Sequence, residues 1–315
     1  MIGYEAGKSV TSGHEHVFIG YQAGRAKNVN NQCTYVGFKA GAIETGLWGN
    51  TFLGAYAGAN CSTGNGMTFV GGSAGYNNTG GCNDAFGYQA LNANTGSLNN
   101  VAIGAYSMKY QNSNSTDSYN VAIGHTAFGG STFTSLNHCI GIGAEVEASS
   151  ASAEEQIVIG FRVVGAGNNT FTFGTGGSDT KCNFGGTTWS NPSDARYKEN
   201  VEDQTAGLSF INDLRPVTFD WKKEKDLPPL HRAYVKNSEK KVMNDNTNHG
   251  FLAQEVKEVI NKHPEIKDGF DMWSQDEADG RQRIGQTALI PILTKAIQEL
   301  SAEVEELKEK VNGNN

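Results

Sequence analysis

Two residues in this chain are spaced for chemistry on a peptide bond, Ser193 and Lys198. The Ser193 hydroxyl stands beside the Pro192 carbonyl in sequence. A peptide bond breaks at a useful rate only when a nucleophile is activated and its carbonyl is held in attack geometry. A lysine becomes the base when burial disfavours its ammonium form, and serine–lysine pairs are a known nucleophile–base arrangement. The same residue types also fit a surface segment in which Ser193 opens a short helix carrying Arg196 and Lys198. Residue types alone leave both readings open.

The stretch lies where the chain changes character. Of 40 glycines, 34 precede residue 191, whereas all six prolines lie at Pro192 or later. Two compositions predict two architectures: a repetitive glycine-rich part, then an ordinary mixed α/β part.

The first part repeats. Ile2-Gly3-Tyr4-Glu5-Ala6-Gly7 returns as Ile19-Gly20-Tyr21-Gln22-Ala23-Gly24, Val36-Gly37-Phe38-Lys39-Ala40-Gly41 and Leu53-Gly54-Ala55-Tyr56-Ala57-Gly58. Weaker copies continue to Ile159-Gly160, and the marker glycines fall at 3, 20, 37, 54, 71, 87, 104, 124, 143 and 160. A period near 17 means one structural unit per copy, stacked on the next. Each copy has a short β-branched or aromatic segment, a glycine corner and an Asn/Gly/Ser/Thr-rich connector without helical periodicity. The absence of proline fits continuous hydrogen-bond ladders. Residues 1–162 therefore predict a parallel β-solenoid or β-roll of about ten rungs, a rod on the order of 45–50 Å long. One rung offers only two or three apolar side chains to an interior. Three copies around an axis would bury the remaining aliphatic and aromatic positions. Residues 163–192 lose the period but stay β-like, a neck with a turn at Gly174–Gly177.

In the second part, 193–315, Leu208, Ile211 and Leu214 predict a short amphipathic helix that stops before Pro216. Val217, Phe219 and Trp221 alternate as a strand. Val256, Val259 and Ile260 belong to a further helix. Ile290, Leu293, Ile297, Leu300, Val304, Leu307 and Val311 alternate at spacings of three and four, with Ile/Val at a and Leu at d, which predicts a coiled-coil helix over about 287–311. Glu303 at g can reach Lys308 at e′ of a parallel neighbour. Pro291 is tolerated only in a first turn, so the helix is expected to begin near Thr287. Such a/d residues favour two strands in isolated zippers; a three-fold rod would override that preference in so short a helix.

Four blocks of the second part, SDARYKENV at 193–201, GLSFINDLRPVTFDWK at 207–222, NHGFLAQEV at 248–256 and TALIPILTKAIQELSAEVEELK at 287–308, resemble the intramolecular chaperone, auto-processing domain at the C-terminus of phage tail spikes and fibres. The repeats resemble the β-roll heads of trimeric autotransporter adhesins and the repeat arrays of tail fibres. These resemblances imply a homotrimeric fibre or adhesin whose tail domain drives trimerisation and folding. They imply that the tail then releases itself by a single-turnover cut between Pro192 and Ser193, with Ser193 as nucleophile and Lys198 as base. The site would be the virion tail or a bacterial surface, and the partner a host cell-surface glycan. An alternative is the C-terminal part of a polysaccharide-degrading tail spike. A third is a self-released transcription regulator, since the domain also occurs in myelin regulatory factor.

Other features bound the partners. A net charge of −8 argues against nucleic-acid and anionic-membrane partners. No run of eighteen apolar residues spans a bilayer, and no signal peptide is recognisable. Met1 abuts a repeat, so the chain is expected to extend upstream. Cys33, Cys61, Cys82, Cys139 and Cys182 are odd in number and lack metal spacing, and are read as small buried thiols. His14 and His16 are read as a solvated loop, not a metal site. No cofactor or metal is expected. Tyr21, Tyr56, Tyr88 and Tyr106 fit either sugar stacking or packing at a trimer axis.

Overall fold

A computed structural model describes residues 1–28, 32–44, 48–111, 118–130, 135–266 and 270–313. They divide into two compact units, Met1–Tyr197 and Lys198–Asn315.

The repeat period becomes a rung. Strands β1 (Val17–Ile19), β2 (Thr34–Val36), β3 (Thr51–Leu53), β4 (Thr68–Val70), β5 (Asp84–Phe86), β6 (Val101–Ile103), β7 (Val121–Ile123), β8 (Ile140–Ile142) and β9 (Gln156–Phe161) pair in parallel with their sequence neighbours. Ile2 adds a bridge to Ile19 at the open end. In register, Val17, Phe18 and Ile19 oppose Thr34, Tyr35 and Val36. The middle residue of each strand from β1 to β7 is buried, while its neighbours face outward. This is the period-two alternation of a strand with one covered face. The expected β-solenoid is the observed fold.

The marker glycines are dictated by the stacking itself. At Gly54 φ is +138°, and a Cβ there would lie 2.5 Å from the carbonyl oxygen of Gly71 one rung on. Only glycine allows both that backbone and that approach.

The interior is filled by two complementary rows. In the first rungs the strand carries a ring, Phe18, Tyr35, Phe52 or Phe69, and the corner carries Gly24, Gly41, Gly58 or Gly75. Neighbouring rings in that column stack, with centroids 4.8–5.0 Å apart. From the fifth strand the roles exchange: Ala85, Ala102 and Ala122 stand on the strands, and Leu91, Met108 and Phe128 fill the space from the corner, all fully buried. A Cβ on Gly58 would lie 2.6 Å from the Phe52 ring, and one on Gly141 2.7 Å from Phe128. Total volume is conserved while its source moves, as close packing requires.

The asparagines before β5, β6 and β7 form a polar column inside the rod. Asn100 donates from Nδ2 to Asn83 Oδ1 (3.1 Å), and Asn120 does the same to Asn100 Oδ1 (3.0 Å). The same oxygens accept the Asn100 and Asn120 backbone N–H groups. Lys27 Nζ and Glu44 Oε1 form an enclosed ion pair at 2.9 Å, and the Tyr35 hydroxyl donates to Glu44 Oε2 at 2.9 Å. Burial and the Glu44 carboxylate push the Tyr35 hydroxyl pKa upward. These side chains are interior. The cysteine reading holds for Cys33, Cys61, Cys139 and Cys182, which are buried, whereas Cys82 is exposed.

Two further strands extend the sheet. Strand β10 (Thr170–Thr175) continues parallel to β9, then β11 (Ser178–Asn183) turns back antiparallel through Gly176-Gly177. Trp189 packs edge-on against Phe171 and Phe173.

The second unit has a small core of Ala206, Phe210, Val256, Val259, Ile260, Ile266, Met272, Leu289 and Ile292. Around it lie helices α1 (Leu208–Asp213), α2 (Ala253–Lys262) and α3 (Leu289–Gly313). Two antiparallel pairs complete the unit: β12 (Val217–Phe219) with β13 (Asn248–Gly250), and β14 (Trp273–Gln275) with β15 (Gln282–Ile284). Among the described residues, no helix is long and apolar enough to cross a membrane.

Candidate processing junction and chaperone unit

The chain is held to the neck until just before the junction. Ser190 and Lys181 exchange backbone hydrogen bonds, and Thr180 Oγ1 donates to Asn191 Oδ1 at 2.5 Å. Pro192 has no N–H with which to continue the pairing. Pro192 and Ser193 are exposed. A one-turn 3₁₀ segment follows at Ala195–Tyr197.

The cap of that turn is Asp194. Its Oδ1 accepts the Arg196 backbone N–H at 2.9 Å, and its Oδ2 pairs with Arg196 Nη2 at 2.6 Å. The Arg196 side chain, then its backbone N–H, hold the Asp194 carboxyl below its ordinary pKa. Asp194 and Arg196 therefore shape the turn.

Ser193 belongs to the first compact unit and Lys198 opens the second. Lys198 is exposed, so its own chain does not supply the burial that a lysine base needs. Tyr197 and Val201 are apolar neighbours about 80% exposed.

The seam residues of α3 lie on one exposed face. Ile290, Leu293, Ile297, Leu300, Val304, Leu307 and Val311 all face solvent, and Pro291 sits in the first turn as anticipated. The opposite face of the first turns, Leu289, Ile292 and Ala296, is buried. Farther along, Glu299 Oε2 accepts the Leu208 N–H at 2.7 Å, so α3 caps the start of α1. Gly207 leaves room for that carboxylate, because a Cβ there would overlap it. One helix thus docks on its own unit and presents an apolar seam outward.

His263 closes the other end of α1. It is buried, with Nε2 3.0 Å from Asp213 Oδ2 and Nδ1 2.9 Å from Glu265 Oε1, and its ring packs edge-on against Phe210. The hydrogen bond to Asp213, with help from Glu265, raises its pKa against the opposing effect of burial. Sequence reasoning gave His263 no role. A histidine just after an amphipathic helix was the available signal, but its partners come from two separate segments.

Among the described residues no group of side chains has metal-ligating geometry. His16 stacks on Phe18 at 5.0 Å, extending the interior ring column.

Residues 193–263 match a family model, the chaperone of endosialidase. This segment is a chaperone-of-endosialidase domain. The chain therefore joins a β-solenoid to an intramolecular chaperone domain of the tail-fibre and tail-spike type. The match begins at Ser193 and includes three of the four sequence blocks; α3 lies beyond it. Searches of curated proteins and of solved structures gave no match.

Proposed function

We propose that this chain is the subunit of a homotrimeric, virion-associated fibre, with 1–192 as the fibre and 193–315 as its folding aid. The chaperone unit brings three copies together through the α3 seam. It then releases itself by cleavage between Pro192 and Ser193. The observation that carries this reading is that both units leave an apolar row uncovered. On the rod it runs through Ile2, Ile19, Leu53, Phe86, Ile103, Ile123 and Ile142; on α3 it is the coiled-coil seam. Contiguous apolar surface of this kind marks an interface.

The order of events follows from the cost of parallel β structure, which loses chain entropy before its distant contacts form. A tail that associates first raises the effective concentration of the rods and sets their register. Its later removal leaves a rod that is slow to unfold.

For the cut, Ser193 Oγ attacks the Pro192 carbonyl carbon while Lys198 Nζ accepts the hydroxyl proton. The Pro192–Ser193 C–N bond then breaks as the lysine returns that proton to the leaving Ser193 amine. The product is an ester of Pro192 on Ser193 Oγ, and water hydrolyses its C–O bond to give a Pro192 carboxylate and a free Ser193 hydroxyl, which separates the two parts. Neighbouring copies supply the burial of Lys198 in the assembled state.

Denaturing electrophoresis with intact mass tests the cut. A fragment beginning at Ser193 is expected, and its loss in Ser193→Ala and Lys198→Ala. A wild-type chain that stays whole while trimeric overturns cleavage and leaves the folding role intact. Sizing by light scattering tests the trimer separately, and a monomeric rod refutes it.

A further inference from the structure

On the connector edge of the rod lies a trough of about 570 Å³, within the range of ligand clefts. Every residue lining it is uncharged, in a chain of net charge −8. Trp48 stands at one end, 56% exposed. Its backbone is fixed by the N–H donating to Asn65 Oδ1 at 2.9 Å and the carbonyl accepting from Gly66 N at 3.2 Å. The next copies follow along the same edge. Cys82 N donates to Asn65 O, Asn99 N to Gly81 O and Tyr119 N to Leu98 O. Four rungs of about 4.8 Å put Trp48 and Tyr119 on the order of 19 Å apart. The Tyr119 ring is 50% exposed and stacks on His138, with centroids 5.5 Å apart.

Gly81 keeps the trough open. Its φ is not left-handed, and a Cβ there would meet nothing nearer than 3.4 Å. Neither backbone conformation nor crowding requires glycine at this position, in contrast to the marker glycines. The missing side chain leaves a gap between Asn65 and Leu98.

We propose that this edge binds a neutral, extended glycan. Aromatic faces accept the C–H faces of sugar rings, and amides such as Asn65 and Asn99 can both donate to and accept from hydroxyls. The uncharged lining matches an uncharged ligand, and an edge spanning several rungs matches a chain of several sugars. The proposal rests on the fibre reading above and names the ligand class it would engage.

The test is titration of the full-length protein with neutral hexasaccharides of glucose, galactose, mannose and N-acetylglucosamine, followed by calorimetry and tryptophan fluorescence. At least one is expected to bind and change the fluorescence. Trp48→Ala should weaken it about tenfold or more and remove the fluorescence change, and Tyr119→Ala should weaken it by about tenfold. Gly81→Leu should block binding with circular dichroism and Tm unchanged. The proposal is overturned if none of the four binds, or if binding survives Trp48→Ala. It is also overturned if only an acidic oligosaccharide or a proline-rich peptide binds, or if Trp48→Ala changes the oligomeric state. A Ser193-initiated fragment from a trimer without saccharide binding would sink this site and spare the fibre reading.

Discussion

The exchange between ring-bearing strands and ring-bearing corners makes a quantitative demand on the third rung. In Phe52→Ala a fully buried ring is lost together with its stacks on Tyr35 and Phe69 at 4.8 and 5.0 Å. That truncation should cost about 3–5 kcal/mol. In Gly58→Leu a side chain is placed where φ is +56° and its Cβ would lie 2.6 Å from the Phe52 ring. Left-handed backbone costs about 1–2 kcal/mol and overpacking about 1–3 kcal/mol, so this change alone should cost about 2–5 kcal/mol. If the two were independent, the double variant would lose about 5–10 kcal/mol. Leu91 opposite Ala85 already shows the combined arrangement at φ +47°, fully buried. The double variant should therefore retain only the backbone cost and the lost stacking, about 2–4 kcal/mol, for a favourable coupling of about 3–6 kcal/mol. Thermal scans of the full chain at a fixed rate measure this. Taking 2–4 °C per kcal/mol, Phe52→Ala should melt roughly 6–20 °C lower and Gly58→Leu roughly 4–20 °C lower, and the double should lie above the better single or close to it. Additive losses would show that the corner residue does not occupy the ring's space, and the account of the core would fail.

Two further perturbations follow from buried charge. Glu44→Gln leaves Lys27 enclosed opposite a neutral amide and should lower rod stability by about 3–5 kcal/mol; replacing the pair together by Met at both positions, with Tyr35→Phe to remove the hydroxyl that donates to Glu44, should recover much of that loss. Denaturant unfolding followed by circular dichroism checks it, and equal losses in the single and paired variants would contradict it. His263 has a raised pKa, so its contribution is fully present below the unfolded value of 6.5 and is lost as pH rises through the folded value. Calorimetry should show the chaperone unit's transition falling with rising pH across that window, and His263→Gln should flatten the dependence. An unchanged slope in the variant would assign the effect elsewhere.

The resemblance of three blocks to the matched domain was legible because family motifs are local in sequence. Cleavage chemistry was less so. Ser193 and Lys198 are named by the resemblance of the motif around them, yet the burial of a lysine depends on what covers it, and a single chain leaves it exposed. The α3 seam was readable from its three–four spacing, but its second duty was not. Glu299 capping α1 joins residues 91 positions apart, and no local pattern encodes that.

Periodicity by itself determined that residues 1–162 coil into rungs, where the glycine corners fall and which strand residues alternate, because a stacked repeat must present the same backbone at the same step. The three–four spacing likewise determined the apolar face of α3. Only the tertiary structure decided what fills the rod. Whether Gly58 is a turn residue or the space for Phe52 depends on how the corner folds back over its own strand. Whether Asn100 faces water or Asn83, and whether Lys27 is solvated or enclosed with Glu44, depend on contacts between rungs. Those pairs lie 17 residues apart in sequence, and stacking brings them together.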